Sequence, residues 1–324
     1  MINADDILKI GDDRQFEHLA LQLFRFQAVH CKPYAEYLRL AGLRETDIPR
    51  ITNLQKIPFL PIEVFKIRDV YCGEAEPEAV FTSSATTGMT PSRHPMEHLA
   101  HYEKVFTAAF STFYGDPAQY GIFALLPSYL QRRGSSLVYM ADRLIARSGD
   151  GGFYLDDYEQ LLADMEACRK PKILLGVTYA LLDLAERFSP QLHDTAVMET
   201  GGMKGHREEL PKSELHRILC NAFGVSEIHS EYGMAELTSQ AYSAGGGIFR
   251  TPAWMKVLTR DVNDPFDIQP AGARGGLNII DLANISSCAF IQTQDIGRTL
   301  PDGSFTVEGR IDRSETRGCN LLVQ

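Results

Sequence analysis

The hydrophobic pattern begins with an amphipathic helix. Five apolar residues recur at three- and four-residue spacing and would share one helical face: Phe16, Leu19, Ala20, Leu23 and Phe24. The next apolar segment, IPFLPIEVFK at 57–66, contains Pro58 and Pro61, which cannot lie inside a helix. We therefore expect an extended arm there that lies on a domain.

Short apolar runs then alternate with helical patterns. Five runs predict strands: 79–83, 120–126, 171–177, 195–201 and 226–232. Five longer stretches have helical periodicity: 97–113, 135–147, 156–169, 178–188 and 207–223. This alternation predicts an α/β fold with a mainly parallel sheet and helices on both of its faces.

The pattern changes after residue 244, where short β-like runs are separated by Gly, Pro and Asp turns and no helical pattern exceeds one turn. We therefore predict two parts. Residues 1–243 form a helical N-terminus and an α/β core, and residues 244–324 form a smaller β-rich subdomain.

Composition narrows the class of protein. The chain of 324 residues is 44% hydrophobic and 23% charged, with a net charge of −10, which argues against binding along a nucleic-acid backbone. No run approaches the roughly 18 consecutive apolar residues of a membrane span, and MINADDILKI does not resemble a secretory signal. Scattered single cysteines without a Cys-x-x-Cys pair favour free thiols, so we expect a cytoplasmic protein.

A hydroxyl-rich segment, FTSSATTGMTPSRH at 81–94, follows a predicted strand. Seven of its eleven residues from Thr82 to Ser92 carry hydroxyls. Hydroxyls and backbone N–H groups in a glycine-containing turn can surround phosphate oxygens. The segment is not a Walker loop, because the Gly-Lys-Ser/Thr ending is missing. A plain Ser/Thr-rich surface loop is the alternative.

A second segment, SEYGMAELTSQAY at 230–242, closes another predicted strand. Ligands commonly bind at the carboxyl ends of strands in an open α/β sheet. The Tyr232 ring could stack there on a base, and Glu236 could hold a hard divalent cation. The alternative is a helix start with Glu236 in its first turn.

The third candidate site combines two segments, QTQDIG at 292–297 and GRIDRS at 309–314. They contain Asp295 and Arg310, which lie on either side of a Pro-Asp-Gly turn. A carboxylate can accept hydrogen bonds from two sugar hydroxyls, and an arginine can hold phosphate or ribose oxygens. The alternative is a solvent-facing salt bridge across a hairpin.

In this order, the segments resemble the core motifs of the adenylate-forming superfamily, which includes acyl- and aryl-CoA synthetases, luciferases and adenylation domains. The hydroxyl-rich segment is similar to its phosphate loop, and YGMAE is similar to its YGxTE motif. TQDIG is similar to its ribose-binding motif, and GRIDR contains an arginine similar to the one at its hinge. Within the superfamily, the chain resembles one family more closely, the acyl-protein synthetases. Three segments carry this closer resemblance: the arm at 57–66, TGGMKG at 200–205 and the ending GRIDRSETRGCNLL. That family includes the fatty-acid-activating subunit of bacterial fatty-acid reductase, of the long-chain-fatty-acid–luciferin-component ligase type.

The resemblance implies ATP and Mg²⁺ as cofactors and a role for each matching residue. Four residues would bind the phosphates: Ser84, Thr86, Thr87 and Gly88. Five would bind adenine: Gly202, Glu231, Tyr232, Gly233 and Met234. Glu236 would bind Mg²⁺, and Asp295 and Arg310 would bind ribose.

The sequence departs from the superfamily pattern in three places. Ala85 replaces the usual glycine of the phosphate loop, and Ala235 replaces the threonine of YGxTE. Either change could weaken adenylation. The chain also ends soon after Arg310, so we expect it to lack the mobile C-terminal domain with its catalytic lysine, as acyl-protein synthetases do.

Cys319 is the candidate acyl acceptor. In the resembled family a cysteine near the C-terminus takes the acyl group as a thioester, and Cys319 in RGCNLL matches it. Nearby arginines, Arg310, Arg313 and Arg317, would favour the thiolate. The alternative is a small buried side chain in a terminal strand. The other five cysteines have no such context and are treated as structural.

The resemblance therefore implies ATP-dependent activation of a carboxylic acid to an acyl-adenylate. The resembled family uses a fatty acid, so the resemblance implies a fatty acid here as well. The acyl group would then pass to Cys319 for delivery to an acyl-CoA-reductase-like protein or an acyl carrier. Three alternatives remain open: an acyl- or aryl-CoA synthetase without a cysteine intermediate, a catalytically degenerate interaction subunit, and acyl transfer from a preformed thioester without ATP. His94, His206 and His229 also fall near the predicted site, but nine histidines make some proximity expected by chance.

Overall fold

A computed structural model describes residues 4–83, 90–126, 134–201 and 210–311. The α-helices in these ranges are α1 Ala4–Ile7, α2 Asp13–His30, α3 Lys32–Leu40, α4 Val64–Ile67, α5 Leu99–Tyr114, α6 Ser136–Ser148, α7 Tyr158–Ala167, α8 Thr178–Phe188 and α9 Lys212–Phe223. The strands are β1 Leu60–Pro61, β2 Ala79–Thr82, β3 Arg93–Met96, β4 Gly121–Leu125, β5 Gly151–Tyr154, β6 Lys172–Val177, β7 Thr195–Thr200, β8 His229–Tyr232, β9 Ala241–Ser243, β10 Ile248–Phe249, β11 Met255–Arg260, β12 Gly275–Asp281, β13 Phe290–Thr299 and β14 Phe305–Arg310. Short 3-10 helices cover Glu45–Arg50, Leu54–Lys56 and Pro117–Gln119. Within these ranges no helix combines the length and the apolarity that a bilayer-spanning segment requires.

The first sheet has the strand order β5-β4-β6-β7-β8-β9. Its strands are parallel except β9, which runs antiparallel to β8. The connection from β4 through α6 to β5 runs in one direction along the sheet, and the later connections through α7, α8 and α9 run in the other. Because such crossovers are right-handed, α6 lies on the opposite face from α7, α8 and α9. The predicted α/β class is confirmed.

The second sheet is antiparallel, with the order β10-β14-β13-β12-β11, and β1 joins it by pairing in parallel with β13. Residues 244–311 contribute strands and no helix to the described structure. The arm at 57–66 is extended only as far as Pro61, and α4 follows it. A helix can begin there because no proline follows Pro61, and α4 buries Phe65 completely.

Several element boundaries differ from the prediction. The hydroxyl-rich segment is flanked by β2 and β3, which pair antiparallel as a separate hairpin, whereas we expected β2 to lead directly towards a helix. Strands β3 and β5 were not predicted. Helix α9 begins at Lys212, later than expected, because Pro211 occupies the position before the first helical turn.

The N-terminal helices contact the start of β13. The Phe290 ring is fully buried and lies 5.9 Å from Phe24 of α2, with the two rings edge to face. The buried Gln27 side chain, also on α2, donates through Nε2 to Asn284 O at 2.8 Å and accepts from Ala289 N at 2.9 Å. One helix therefore fixes the 282–289 loop between β12 and β13.

Replacing Gln27 should destabilise the fold more than an equivalent change on the exposed face of α2. We expect Gln27→Leu to lower the free energy of unfolding by about 2–4 kcal/mol, because it leaves buried backbone groups of the 282–289 loop without partners. Gln22→Leu, at an exposed position of the same helix, is the matched control and should change stability by less than about 0.5 kcal/mol. Urea denaturation of both variants measures the difference, and equal losses would contradict the anchoring role of Gln27.

Candidate active site

Two of the predicted site segments meet through one chain of hydrogen bonds. Tyr232, the last residue of β8, donates its hydroxyl to Asp295 Oδ2 at 2.8 Å. Arg310 Nε donates to Asp295 Oδ1 at 3.2 Å, and these two residues are cross-strand partners on β13 and β14. The Asp295 side chain is 11% exposed and that of Arg310 is 71% exposed. The salt bridge across the hairpin thus exists, but its carboxylate end is buried against the first sheet.

The Tyr232 ring is held between the two sheets. It packs edge to face on Phe305 at 5.3 Å and at a tilt on Phe249 at 5.7 Å. Burial and the neighbouring Asp295 carboxylate raise the pKa of Tyr232 well above its ordinary value. The phenol therefore keeps its proton and donates a hydrogen bond to Asp295. Stacking of this ring on adenine stays a prediction.

Gly233 lies close to the Glu231 carboxyl group. A Cβ atom at this position would lie 2.4 Å from Glu231 Oε1, which is inside contact distance. A side chain here would therefore displace the buried Glu231 carboxyl. Gly233 is exposed and Met234 is half-buried, and their contacts with adenine stay predictions.

Glu231 is a buried carboxyl group on the sheet face covered by α5. Its cross-strand partner is Tyr242, whose ring packs on Phe113 of α5 at 5.3 Å. Thr200 Oγ1 donates to Glu231 Oε2 at 2.5 Å. Burial raises the pKa of Glu231 to about 7, although Thr200 lowers it and Glu199 raises it further. The side chain can thus hold or release a proton near neutral pH.

Glu199 lies on the opposite face of the sheet and was missed by the sequence analysis. Lys212 Nζ and Ser230 Oγ each donate to Glu199 Oε1 at 2.6 Å. Burial alone would raise the pKa of Glu199, but His216, Lys212 and Ser230 lower it to about 2. The sequence contains one indication of this cluster. Glu199 is a charged residue near the end of a predicted apolar strand, and a buried charge needs a partner. The cluster ties α9 to β7 and β8 behind the turn at Gly201.

Glu236 is 5% exposed and follows the turn after β8. Burial raises its pKa, and the nearby Ser92 hydroxyl lowers it. Ser92 N in turn donates to Ser83 Oγ at 2.9 Å, so the two ends of the hydroxyl-rich segment lie together beside Glu236.

The donor set around Glu236 fits Mg²⁺. In the described part of the chain no cluster of three His, Cys, Asp or Glu side chains is arranged to hold a metal ion. A cation bound by Glu236 would therefore take its other ligands from phosphate oxygens and water, which is the usual coordination of Mg²⁺ in nucleotide sites. One carboxylate beside the Ser92 hydroxyl suits this arrangement.

Six predicted site residues fall outside the described ranges: Ser84, Thr86, Thr87, Gly88, Gly202 and Cys319. Ala85 is also outside them. Their roles stay predictions. Ala235, in contrast, is described, and its backbone carbonyl takes part in a hydrogen-bond network beside Glu236.

Solved structures with low sequence identity share this fold. A 2-hydroxyisobutyryl-CoA ligase in complex with 2-HIB-AMP and CoA is 14% identical, with a TM-score of 0.67 over 93% of this chain and 70% of that chain. ATP-bound MatB from Rhodopseudomonas palustris is 16% identical, with a TM-score of 0.55 over 75% of this chain and 49% of that chain. A luciferase-like enzyme from the nonluminescent mealworm Zophobas morio is 17% identical, with a TM-score of 0.51 over 76% of this chain and 59% of that chain.

The chain thus has the fold of the large N-terminal domain of adenylate-forming enzymes. It spans 49% of the length of the MatB structure. No family model matches the sequence, and no curated protein sequence matches it.

The pKa of Glu231 predicts a pH-dependent stability. Because its pKa rises from an ordinary value of 4.5 to about 7 on folding, the folded protein holds a proton that the unfolded chain releases. The stability contributed by this group therefore falls as pH rises from 4.5 to about 7. Glu231→Gln removes the effect, and its stability relative to wild type should increase by about 3 kcal/mol between pH 4.5 and 8.

Denaturant unfolding across this pH range measures the effect. Glu17→Gln, which changes an exposed glutamate on α2, is the control, and its difference from wild type should change much less over this range than that of Glu231→Gln. A constant difference for Glu231→Gln as well would show that burial does not hold the proton on Glu231.

Proposed function

We propose that this protein uses ATP to activate a carboxylic acid as an acyl-adenylate. The observation that carries the proposal is the hydrogen-bonded chain from Tyr232 through Asp295 to Arg310, which begins at the end of β8 where the turn leading to Glu236 starts. The position supports a ligand site, because the carboxyl ends of β7 and β8 meet there. The fold adds support, since one structural neighbour holds ATP and another holds 2-HIB-AMP.

In the first half-reaction a carboxylate oxygen of the acid attacks the α-phosphorus of ATP. A new P–O bond forms, the bond from this phosphorus to the bridging oxygen breaks, and pyrophosphate leaves with the electron pair. Asp295 accepts hydrogen bonds from the ribose hydroxyls, and Arg310 donates to ribose or phosphate oxygens. Tyr232 keeps the Asp295 carboxylate oriented. Glu236 would hold Mg²⁺, which would supply positive charge opposite the phosphates.

In the second half-reaction the Cys319 thiol releases its proton to water, and the thiolate attacks the acyl carbonyl. A C–S bond forms, the bond from the carbonyl carbon to the phosphate oxygen breaks, and AMP leaves. This step rests on the resemblance to acyl-protein synthetases, as do a fatty acid as substrate and an acyl-CoA-reductase-like protein or acyl carrier as recipient.

A second candidate is an acyl-CoA ligase that passes the acyl group directly to CoA. One observation favours it: the structural neighbour with a TM-score of 0.67 was solved with CoA. The two candidates share the first half-reaction and differ only in the thiol that attacks the adenylate.

The first half-reaction predicts a role for Asp295 in nucleotide binding. Asp295→Asn should weaken ATP binding about 10- to 100-fold, because hydrogen bonds to a charged group are lost. Isothermal titration calorimetry with Mg-ATP measures the change. Glu308→Gln is the matched control, since it removes the carboxylate that pairs with Arg298 on the same hairpin, and it should bind ATP as the wild type does. Wild-type affinity in Asp295→Asn would remove the basis of the ribose assignment.

The second half-reaction predicts a covalent acyl-enzyme on Cys319. After incubation with Mg-ATP and a panel of carboxylic acids, intact-protein mass spectrometry should show a hydroxylamine-sensitive mass increase in the wild type and none in Cys319→Ser. Cys220→Ser, which changes a half-buried cysteine on α9, is the control and should still be acylated. Product formed by Cys319→Ser with CoA at the wild-type rate would favour the CoA ligase instead.

A further inference from the structure

The segment from Ala235 to Ser239 needs external hydrogen-bond partners. All five of its residues are buried, and none belongs to a helix or strand. Buried backbone N–H and C=O groups outside regular structure must be satisfied by side chains or water. In this segment Leu237 N donates to the neighbouring Met234 O at 3.1 Å, and further partners come from three side chains that are distant in sequence: His94, Asp281 and Asn284.

Asp281 holds the C-terminal half of the segment. Its Oδ2 atom accepts hydrogen bonds from Thr238 N and Ser239 N, both at 2.8 Å. Its Oδ1 atom accepts from Ser239 Oγ at 2.6 Å. The Asp281 carboxyl is fully buried at the end of β12, so these contacts fix the segment to the second sheet.

Asn284 holds the carbonyl of Glu236 itself. Its Nδ2 atom donates to Glu236 O and to Cys288 O, each at 3.0 Å. Because two carbonyls take both amide hydrogens, the orientation of the side chain is determined, and Oδ1 faces His94 Nε2 at 3.0 Å.

His94 holds the preceding carbonyl. It is 1% exposed on β3, its Nδ1 atom lies 2.8 Å from Ala235 O, and its Nε2 atom lies 3.0 Å from Asn284 Oδ1. Both oxygens accept, so the Nδ1 tautomer donates to Ala235 O, and both contacts are hydrogen bonds together only when the ring carries both hydrogens. Phe65 packs against the ring edge to face at 5.9 Å. His94 therefore connects three parts of the molecule: the strand that leaves the hydroxyl-rich segment, the turn after β8, and the 282–289 loop.

We propose that His94 and Asn284 are positioning residues that fix the two peptide planes around Glu236 and so aim its carboxylate at a nucleotide-bound cation. The inference rests on the proposed function. One carbonyl on each side of the Glu236 Cα is held by a different side chain, so neither peptide can rotate without losing a buried hydrogen bond. The direction of the Glu236 Cα–Cβ bond follows from those two planes.

The test compares the ATP affinity of each variant in Mg²⁺ with its affinity in EDTA, measured by calorimetry. We expect the wild type to bind ATP more tightly in Mg²⁺. His94→Leu and Asn284→Leu should each lose about 10-fold of this Mg²⁺-dependent gain, while their affinity in EDTA changes by less than about 2-fold. Glu236→Gln should lose it to the same extent. His94→Asn can place an amide nitrogen where Nδ1 lies, and it should restore most of the gain.

Tyr154→Phe is the stability control, because it loses the hydrogen bond from a buried tyrosine on β5 to Asp164 Oδ2, at the edge of the first sheet opposite β8 and β9. It should keep the full Mg²⁺-dependent gain. If His94→Leu does not fold, His94→Gln replaces it, since its longer amide reaches the Nε2 position and leaves Ala235 O without a donor.

The outcomes separate the two proposals. If the wild type gains affinity from Mg²⁺ and the His94 and Asn284 variants keep that gain, the positioning role is overturned and the proposed function stands. If the wild type does not bind ATP under either condition, the proposed function fails and the positioning role fails with it. Loss of the gain in the Leu variants together with its recovery in His94→Asn would support both.

Discussion

The hydrogen bond from Tyr232 to Asp295 joins the two sheets at the place where the predicted motifs meet. A carboxylate that is almost fully buried must have donors, because desolvation of an unpaired charge costs several kcal/mol, of the order of 5. Tyr232 supplies one donor from the first sheet, and Arg310 supplies the other from the neighbouring strand. This hydrogen bond, together with the packing of the Tyr232 ring on Phe249 and Phe305, therefore links the first sheet to the second at the candidate site.

Two further glutamates show how the same strands support opposite charge states. Glu199 and Glu231 lie on adjacent strands, with side chains on opposite faces of the sheet. Both are buried, but Glu199 has Lys212 as a cationic partner, whereas Glu231 accepts a hydrogen bond from the Thr200 hydroxyl and has no cationic partner among the described residues. A paired carboxyl remains ionised and an unpaired one takes up a proton. At this edge of the first sheet, one face therefore carries the ionised Glu199 carboxylate, and the other face carries Glu231, which can titrate near neutral pH.

Much of the architecture follows from local patterns in the sequence, because parallel strands and crossover helices have strong periodicity. The alternation around β4, β6 and β7 predicted those strands within about two residues. Strand β5 has two glycines among its four residues, and β3 contains a proline, so neither has the apolar pattern of a strand. Motif order also predicted that Asp295, Arg310 and Tyr232 belong to one region. The roles of Asp281 and Asn284 could not be predicted, because a polar residue in a loop does not reveal which distant carbonyl it contacts.

The candidate site is coupled to the N-terminal helices through the 282–289 loop. Gln27 contacts Asn284 O from one side, although the two residues are 257 positions apart in sequence. The Asn284 side chain contacts Glu236 O from the other side. The conformation of this loop in the folded protein thus depends on contacts from the N-terminal helices as well as from the first and second sheets. The geometry at Glu236 is therefore a consequence of the complete tertiary structure, and strand ends of the first sheet alone would not produce it.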